Sequence, residues 1–290
     1  MDPQELRKQA IKDRLKEMHS LPALPPIVSK LNTMMEDENV TAHQLGALIE
    51  RDQVLTGKLL KMVNSSFYGF PQRISTVSNA IVLLGFNVIR TLIVTSSIFE
   101  FMQSSDIGLW EHSLGCATAA GILARRMGIK NPEEISTAGL IHDLGKIVIR
   151  SELPAEYQQV QDIVAKRQIP MREAELIHVG LAHGEIGGWL AAQWNLPERL
   201  VEPIRHHHNP EETPTFKEPA AIVHFSDILI RAVGYGSGGD PWVPPLDHNA
   251  WSRIKFGKAQ TQEVLRELDE KLTELQDFTM EIHQMSTPGK

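Results

Sequence analysis

The chain has little that would staple it, carry it through a bilayer or hold it on a polyanion. One cysteine, Cys116, stands among 290 residues. A single thiol closes no internal disulfide, so nothing calls for an oxidising compartment. Long hydrophobic runs are missing as well. The longest apolar stretches, Ala80–Phe86 and Val88–Val94, are interrupted by polar residues and too short to span a bilayer. Residues Met1 to Arg14 are charged and have no apolar centre, so they do not read as a secretory signal. Basic charge is not in excess. The net charge is −7, and doublets such as Arg125-Arg126 and Lys166-Arg167 are too short for a phosphate-neutralising track. These absences lead us to expect a cytoplasmic protein with neither a membrane nor a nucleic acid as partner. Alternation of apolar and polar residues, internal repeats and low-complexity segments are also missing. The segment Gly234–Gly239 fits a GxGxxG pattern by letter, but it follows a helix and runs into Asp240-Pro241, so no dinucleotide fold is expected.

What is present is ordinary globular material in helical phase. Hydrophobic residues make up 42% and charged residues 22%, enough for one large domain or two moderate ones. Helical periodicity recurs along nearly the whole chain, which predicts an all-α fold. Leu6 to Met18 reads as an exposed amphipathic helix, and Pro26 suits the first turn of the next one. Thr41 with Gln44 has the form of a capping box, and Asp52 that of an N-cap. Asn64-Ser65-Ser66 and Gly69-Phe70-Pro71 mark a loop, where Asn64 and the serines cap helices. From Ser75 two short helices hinged at Gly85 run to about Met102. The second block predicts helices over Trp110–Met127, Pro132–Arg150, Met171–Trp194 (one or two), Glu198–His208, Glu218–Val233 and Thr261–Phe278. The last carries Val264, Leu265, Leu268, Leu272 and Leu275 as an apolar stripe. Residues 234–245 read as a loop.

The chemistry sits in twelve histidines and a few aspartates. In Gly139-Leu140-Ile141-His142-Asp143-Leu144-Gly145-Lys146 an adjacent His and Asp lie within an apolar helix. Burying them is costly unless something satisfies them, and a divalent metal would. His112 lies on a helix face made otherwise of Cys116, Ala119 and Ala120. His183 precedes Gly187 by one turn. His206-His207-His208 closes a helix, and Asp227 interrupts an apolar one. Taken singly, each is more often a hydrogen-bonded core or surface group than a ligand; an Arg or a cap would satisfy Asp227. The case rests on the set. His43, His178, His224 and His248 read as capping, surface or supporting residues. Cys116 reads as a small buried hydrophobe.

The order His112, His142-Asp143, Asp227 resembles the H…HD…D pattern of HD-domain phosphohydrolases. That resemblance implies divalent-metal ligation by these four residues on an all-α core. His183 and His207, or His208 in its place, fall where two-metal members put further ligands. Two ions of iron, manganese or zinc are thus implied, with Asp143 central to the chemistry and solvent shared between the ions as nucleophile. Lys146, in its His-Asp-x-Gly-Lys context, would neutralise a phosphate. Arg90, Arg150 and Arg205 read equally as phosphate contacts or as surface residues.

The first block is more specific. Leu21-Pro22-Ala23-Leu24-Pro25, Leu48-Ile49-Glu50-Arg51-Asp52, Asn64-Ser65-Ser66-Phe67-Tyr68-Gly69 and Ile74-Ser75-Thr76-Val77-Ser78-Asn79-Ala80-Ile81 run in the order of the HDOD signature. Trp194-Asn195-Leu196-Pro197 and His207-His208-Asn209-Pro210 follow suit. The resemblance covers residues 20–280 and implies an HDOD, HD-like multi-helix fold. It divides into an N-terminal subdomain (20–103) and a metal-site subdomain (104–280), flanked by a helical extension (1–19) and a tail (281–290). Many HDOD members have lost the metal ligands and act as output modules; this chain keeps a full set. It lacks the Gly-Tyr-Pro loop of HD-GYP enzymes, having Asn209-Pro210-Glu211 instead, so cyclic di-GMP hydrolysis is not implied. Three readings follow. The first is a bacterial signal-transduction module with a filled metal site, whose partners are signalling proteins or a small phosphorylated ligand. The second is a metal-dependent phosphohydrolase acting on a nucleotide or cyclic nucleotide. The third is a di-iron redox or gas sensor. No receiver, cyclase or DNA-binding module is evident, so input and output are expected from separate proteins.

Overall fold

The structure is a computed structural model that describes residues 3–16, 26–35, 37, 39–65, 68, 70–93 and 107–286. No strand occurs among them. The Leu21–Pro25 phrase, Ser66, Phe67, Gly69, the end of the helix expected near Met102 and the last four residues lie outside the described residues.

Local signals start the first helices. Pro26 opens α2 (Pro26–Met35). α3 (Ala42–Ile49) has the capping box: Gln44 N donates to Thr41 Oγ1 (3.2 Å) and Thr41 N to Gln44 Oε1 (2.9 Å). Asp52 caps α4 (Gln53–Val63), accepting from Leu55 N at 3.0 Å. Asn64 then donates to Leu60 O (2.7 Å) and Ile74 O (2.8 Å), while Ile74 N donates back to its Oδ1 (2.7 Å). One side chain therefore ties the end of α4 to the approach to α5 (Val77–Leu84). Gly85, at φ +81°, turns the chain into α6, which is helical over 86–93. α1 (Pro3–Lys16) is less exposed than its charge predicts. Ile11 and Leu15 are buried, and Arg14 reaches Glu156 at 2.6 Å.

In the rest of the chain the heaviest packing is on α7 (Ile107–Arg126). Its small residues let neighbours come close, and Ser136 Oγ of α8 (Pro132–Ile141) donates to Ala117 O at 2.8 Å. α9 (Leu144–Glu152), α10 (Pro154–Arg167) and α11 (Met171–His178) follow. α12 (His183–Gln193) crosses α9, and α13 (Glu198–His206) packs on α12. α14 (Lys217–Val233) lies against α7. α15 (His248–Ile254) and the long α16 (Lys258–Ser286) close the chain.

Two expectations are corrected. Residues 132–150 are not one helix: α8 ends at Ile141 and α9 begins at Leu144. His142 Nδ1 donates to Gly139 O (2.7 Å), the carbonyl that an unbroken helix would give to Asp143 N. The His142 side chain thus occupies, at the break, the carbonyl that a continuous helix would use. In α16 the stripe is Val264, Leu268, Leu272 and Leu275; Leu265 is exposed.

Candidate metal centre

Five chain segments bring the predicted ligands to one point. α7 supplies His112, the α8–α9 junction supplies His142 and Asp143, and α14 supplies Asp227. His183 is the first residue of α12, and His207 and His208 follow α13. All are buried except His208, which is half-buried.

Asp143 is at the middle. Its Oδ2 lies 3.3 Å from His142 Nε2 and 3.6 Å from His112 Nε2. Its Oδ1 lies 3.2 Å from His183 Nε2 and 3.9 Å from His207 Nε2. One carboxylate therefore faces two sets of imidazoles with different oxygens. Asp227 Oδ1 adds to the first set, 3.1 Å from His112 Nε2. His207 and His208 both join the second: their Nε2 atoms lie 3.3 and 2.9 Å from His183 Nε2. The sequence left these two histidines as alternatives; here both face the same place.

The protonation of the rings follows from their outer partners. His142 Nδ1 points at Gly139 O and His207 Nδ1 at Ile204 O (2.8 Å). A carbonyl only accepts, so each Nδ1 carries a proton, and in the neutral ring that leaves the lone pair on Nε2. Glu175 does the same for His183, accepting from Nδ1 at 2.7 Å and from His183 N at 2.8 Å. The Nε2 lone pairs of His183 and His207 therefore oppose each other. His142 Nε2 and Asp143 Oδ1 are buried with no hydrogen-bond partner. Lone pairs converging in a buried site need a cation between them. A divalent ion supplies one, and the donor atoms of three residue groups (His112–Cys116–His142–Asp227, His142–Asp143–His207, His183–His207–His208) lie within 4.8 Å of one another in each group. The residues present fit a metal on this chemistry.

The charges agree. Burial would raise both carboxyls, but His142 and Lys146 hold Asp143 well below the usual range, and Arg231 and His112 do so for Asp227. Burial, and then the neighbouring imidazoles, push His207 and His208 down, which keeps them neutral as ligands must be. Burial, with Asp227 and Asp143, pushes the Cys116 thiol well up.

Lys146 is buried and faces inward. Its Nζ donates to Asp143 Oδ2 (2.6 Å) and to Gly238 O (2.8 Å). It pins the 234–245 loop to α9 as well as facing the ligand carboxylate. Arg231 does the like from α14, donating to Asp227 Oδ1 (2.9 Å), Asp240 Oδ1 (3.1 Å) and Gly238 O (3.1 Å). The glycine-rich loop is thus the lid of the site. Ser237 N donates to Gly108 O at 2.8 Å, and a Cβ at Gly236 would overlap the α7 backbone at His112. A pocket of about 140 Å³ reaches His183 and His208 past Arg172, Arg231 and Trp242. Arg90, Arg150 and Arg205 point elsewhere: to Asn195 O, over the Tyr157 ring, and against Gly188.

Sequence reasoning missed Glu175, Arg231 and Asp240. Arg231, one helical turn after Asp227, was within reach of an i,i+4 argument. Glu175 and Asp240 join the site only through tertiary folding. His224 is supporting, as read: its Nδ1 donates to His207 O (2.7 Å) and its Nε2 accepts from Asp247 N (3.1 Å).

The HDOD domain model matches residues 21–210. The chain belongs to the HDOD family. The HDOD match includes every candidate ligand except Asp227. An uncharacterized protein of Treponema pallidum is 30% identical over 262 residues, 89% of this chain and 49% of that protein. Ribonuclease Y of Thermus thermophilus is 31% identical over 133 residues, 46% of this chain but 18% of the enzyme. The chain thus spans about half or less of the length of these curated relatives. Among solved structures, an HDOD domain protein of unknown function from Geobacter sulfurreducens is 28% identical with a TM-score of 0.74, covering 95% of this chain and 97% of that one. The all-α HDOD fold is therefore shown. Among the described residues no helix is long and apolar enough to cross a membrane.

Proposed function

We propose that this HDOD protein is a signal-transduction module built around a two-ion HD-type centre, whose state is passed to a partner protein. The enclosure of the site carries this reading. All its candidate ligands but the half-buried His208 are buried, its lid is tied down by Lys146 and Arg231, and the pocket reaching it holds about 140 Å³. Ligand pockets for drug-sized molecules run to about 300–1,000 Å³. The opening is below that range and suits a small anion or solvent. In this reading Asp143 with His112, His142 and Asp227 would hold one ion, and Asp143 with His183, His207 and His208 the other. Residues 20–103 act as the docking subdomain and 104–280 as the sensing one.

A second reading, metal-dependent phosphodiester hydrolysis, draws support from the likeness to ribonuclease Y and from the single carboxylate facing two ligand sets. Bound ions would supply Lewis-acid polarisation of a phosphate. Lys146 would have to leave Gly238, and the lid open, before it met one.

Elemental analysis of the full chain, purified without a chelating tag, tests the shared premise. About two transition-metal ions per chain are expected, and loss of both in Asp143→Asn. Folded protein that is metal-free and takes up none of iron, manganese or zinc overturns both readings. Turnover of a phosphodiester by the loaded protein, abolished in Asp143→Asn, would favour the second over the first.

A further inference from the structure

The first ligand set holds a donor outside the H…HD…D pattern. Cys116 lies one turn after His112 on α7, so both side chains leave the same face. The thiol is fully buried. Its Sγ is 3.5 Å from His112 Nε2, nearer than the 3.9 Å to Nδ1. The sulfur therefore faces the ligand nitrogen of the ring. One donor atom each from His112, Cys116, His142 and Asp227 lies within 4.8 Å of the other three. Into the same space points His142 Nε2, fully buried and without a hydrogen-bond partner. Two imidazoles, a carboxylate and a sulfur make four donors of the kinds that tetrahedral sites use.

We propose that Cys116 is a thiolate ligand of the first ion, making that position a His₂-Asp-Cys site with Asp143 alongside. Ion binding forms the sulfur–metal bond and releases the thiol proton to solvent, so uptake at this position is proton-coupled. A soft sulfur biases the position toward zinc, cobalt or iron and away from magnesium and manganese. The second set, with imidazole and carboxylate only, has no such bias, so the two positions differ in metal preference. The inference rests on the metal-centre reading above and adds one ligand to it.

Cobalt(II) makes it visible. The full chain, stripped of metal and titrated with cobalt alone, is expected to develop a sulfur-to-cobalt charge-transfer absorption in the near ultraviolet beside the visible ligand-field bands. Cys116 is the sole cysteine, so no other thiolate in the chain can produce it. Cys116→Ser is expected to keep the ligand-field bands and lose the charge-transfer band. Cys116→Ala, with circular dichroism to verify folding, should lose it too. Cobalt bound by the wild type without the charge-transfer band overturns the thiolate ligand and leaves the histidine–aspartate centre standing. Failure to bind cobalt at all overturns both.

Discussion

The two oxygens of Asp143 face different imidazoles, but a carboxylate alone does not fix which ring nitrogen turns inward. The outer partners do. Gly139 O, Ile204 O and Glu175 each take an Nδ1 proton and so commit the opposite nitrogen to the site. Glu175 differs from the carbonyls by its charge, which makes His183 a stronger donor to a cation. Glu175→Gln keeps an oxygen to accept the hydrogen bond but loses that charge. We expect metal affinity at the second set to fall about 10–100-fold with the helix content unchanged, measured by competition with a chromophoric chelator. The same affinity in the variant would show that Glu175 only orients the ring. The candidate ligands were legible in the sequence, because His142-Asp143, His112 and Asp227 keep a recognisable order. Glu175 was not: an acidic residue eight positions before His183 has no pattern to announce it. Cys116 was read as a buried hydrophobe, which its burial matches; its position 3.5 Å from a ligand nitrogen is a matter of helix rotation that sequence does not give.

Between elements, the site depends on how closely α9 and α12 cross. Gly145 lies at that crossing, two residues after Asp143. A Cβ there would overlap His183 O and come within 2.9 Å of Gly187 N. Both obstacles are backbone, so the helices must part, and Asp143 would move from His183. Gly145→Ala should lower stability by about 3 kcal/mol, the upper end of overpacking costs, and reduce metal at the second set more than at the first. Gly57 in α4 is the contrast: a Cβ there meets nothing within 4 Å. Gly57→Ala should stabilise by about 0.4–1 kcal/mol. Paired denaturation curves with metal analysis check both signs, and equal effects from the two substitutions would refute the crossing argument. Helix starts were the readable part of this level, since Thr41 and Asp52 act through neighbours in sequence. The break at His142-Asp143 was hidden because apolar periodicity runs straight through 132–150. No Pro or Gly marks the break, and the competitor for Gly139 O is a side chain.

At the scale of the whole molecule the ligands come from α7, the α8–α9 junction, α12, the end of α13 and α14, so the centre holds together segments more than 100 residues apart in sequence. All-α class and HDOD fold were legible from periodicity and ordered phrases; the lid over 234–245 was not, because its glycines satisfy a misleading pattern and its anchors, Lys146 and Arg231, come from other helices. On the proposed reading, filling such a centre would couple ion binding to global folding. Ions that bind only the native chain add stability of about 2.7 kcal/mol at a free concentration of 100 times Kd. For a chain this long that is on the order of 5 °C in Tm. Removing metal with a chelator should therefore lower Tm by about 5 °C or more, and returning excess ion should restore it. In Asp143→Asn the starting Tm should already be low and the chelator without effect. That contrast separates ligand loss from general damage: a variant as chelator-sensitive as the wild type would mean that the ions stabilise the fold from somewhere other than Asp143.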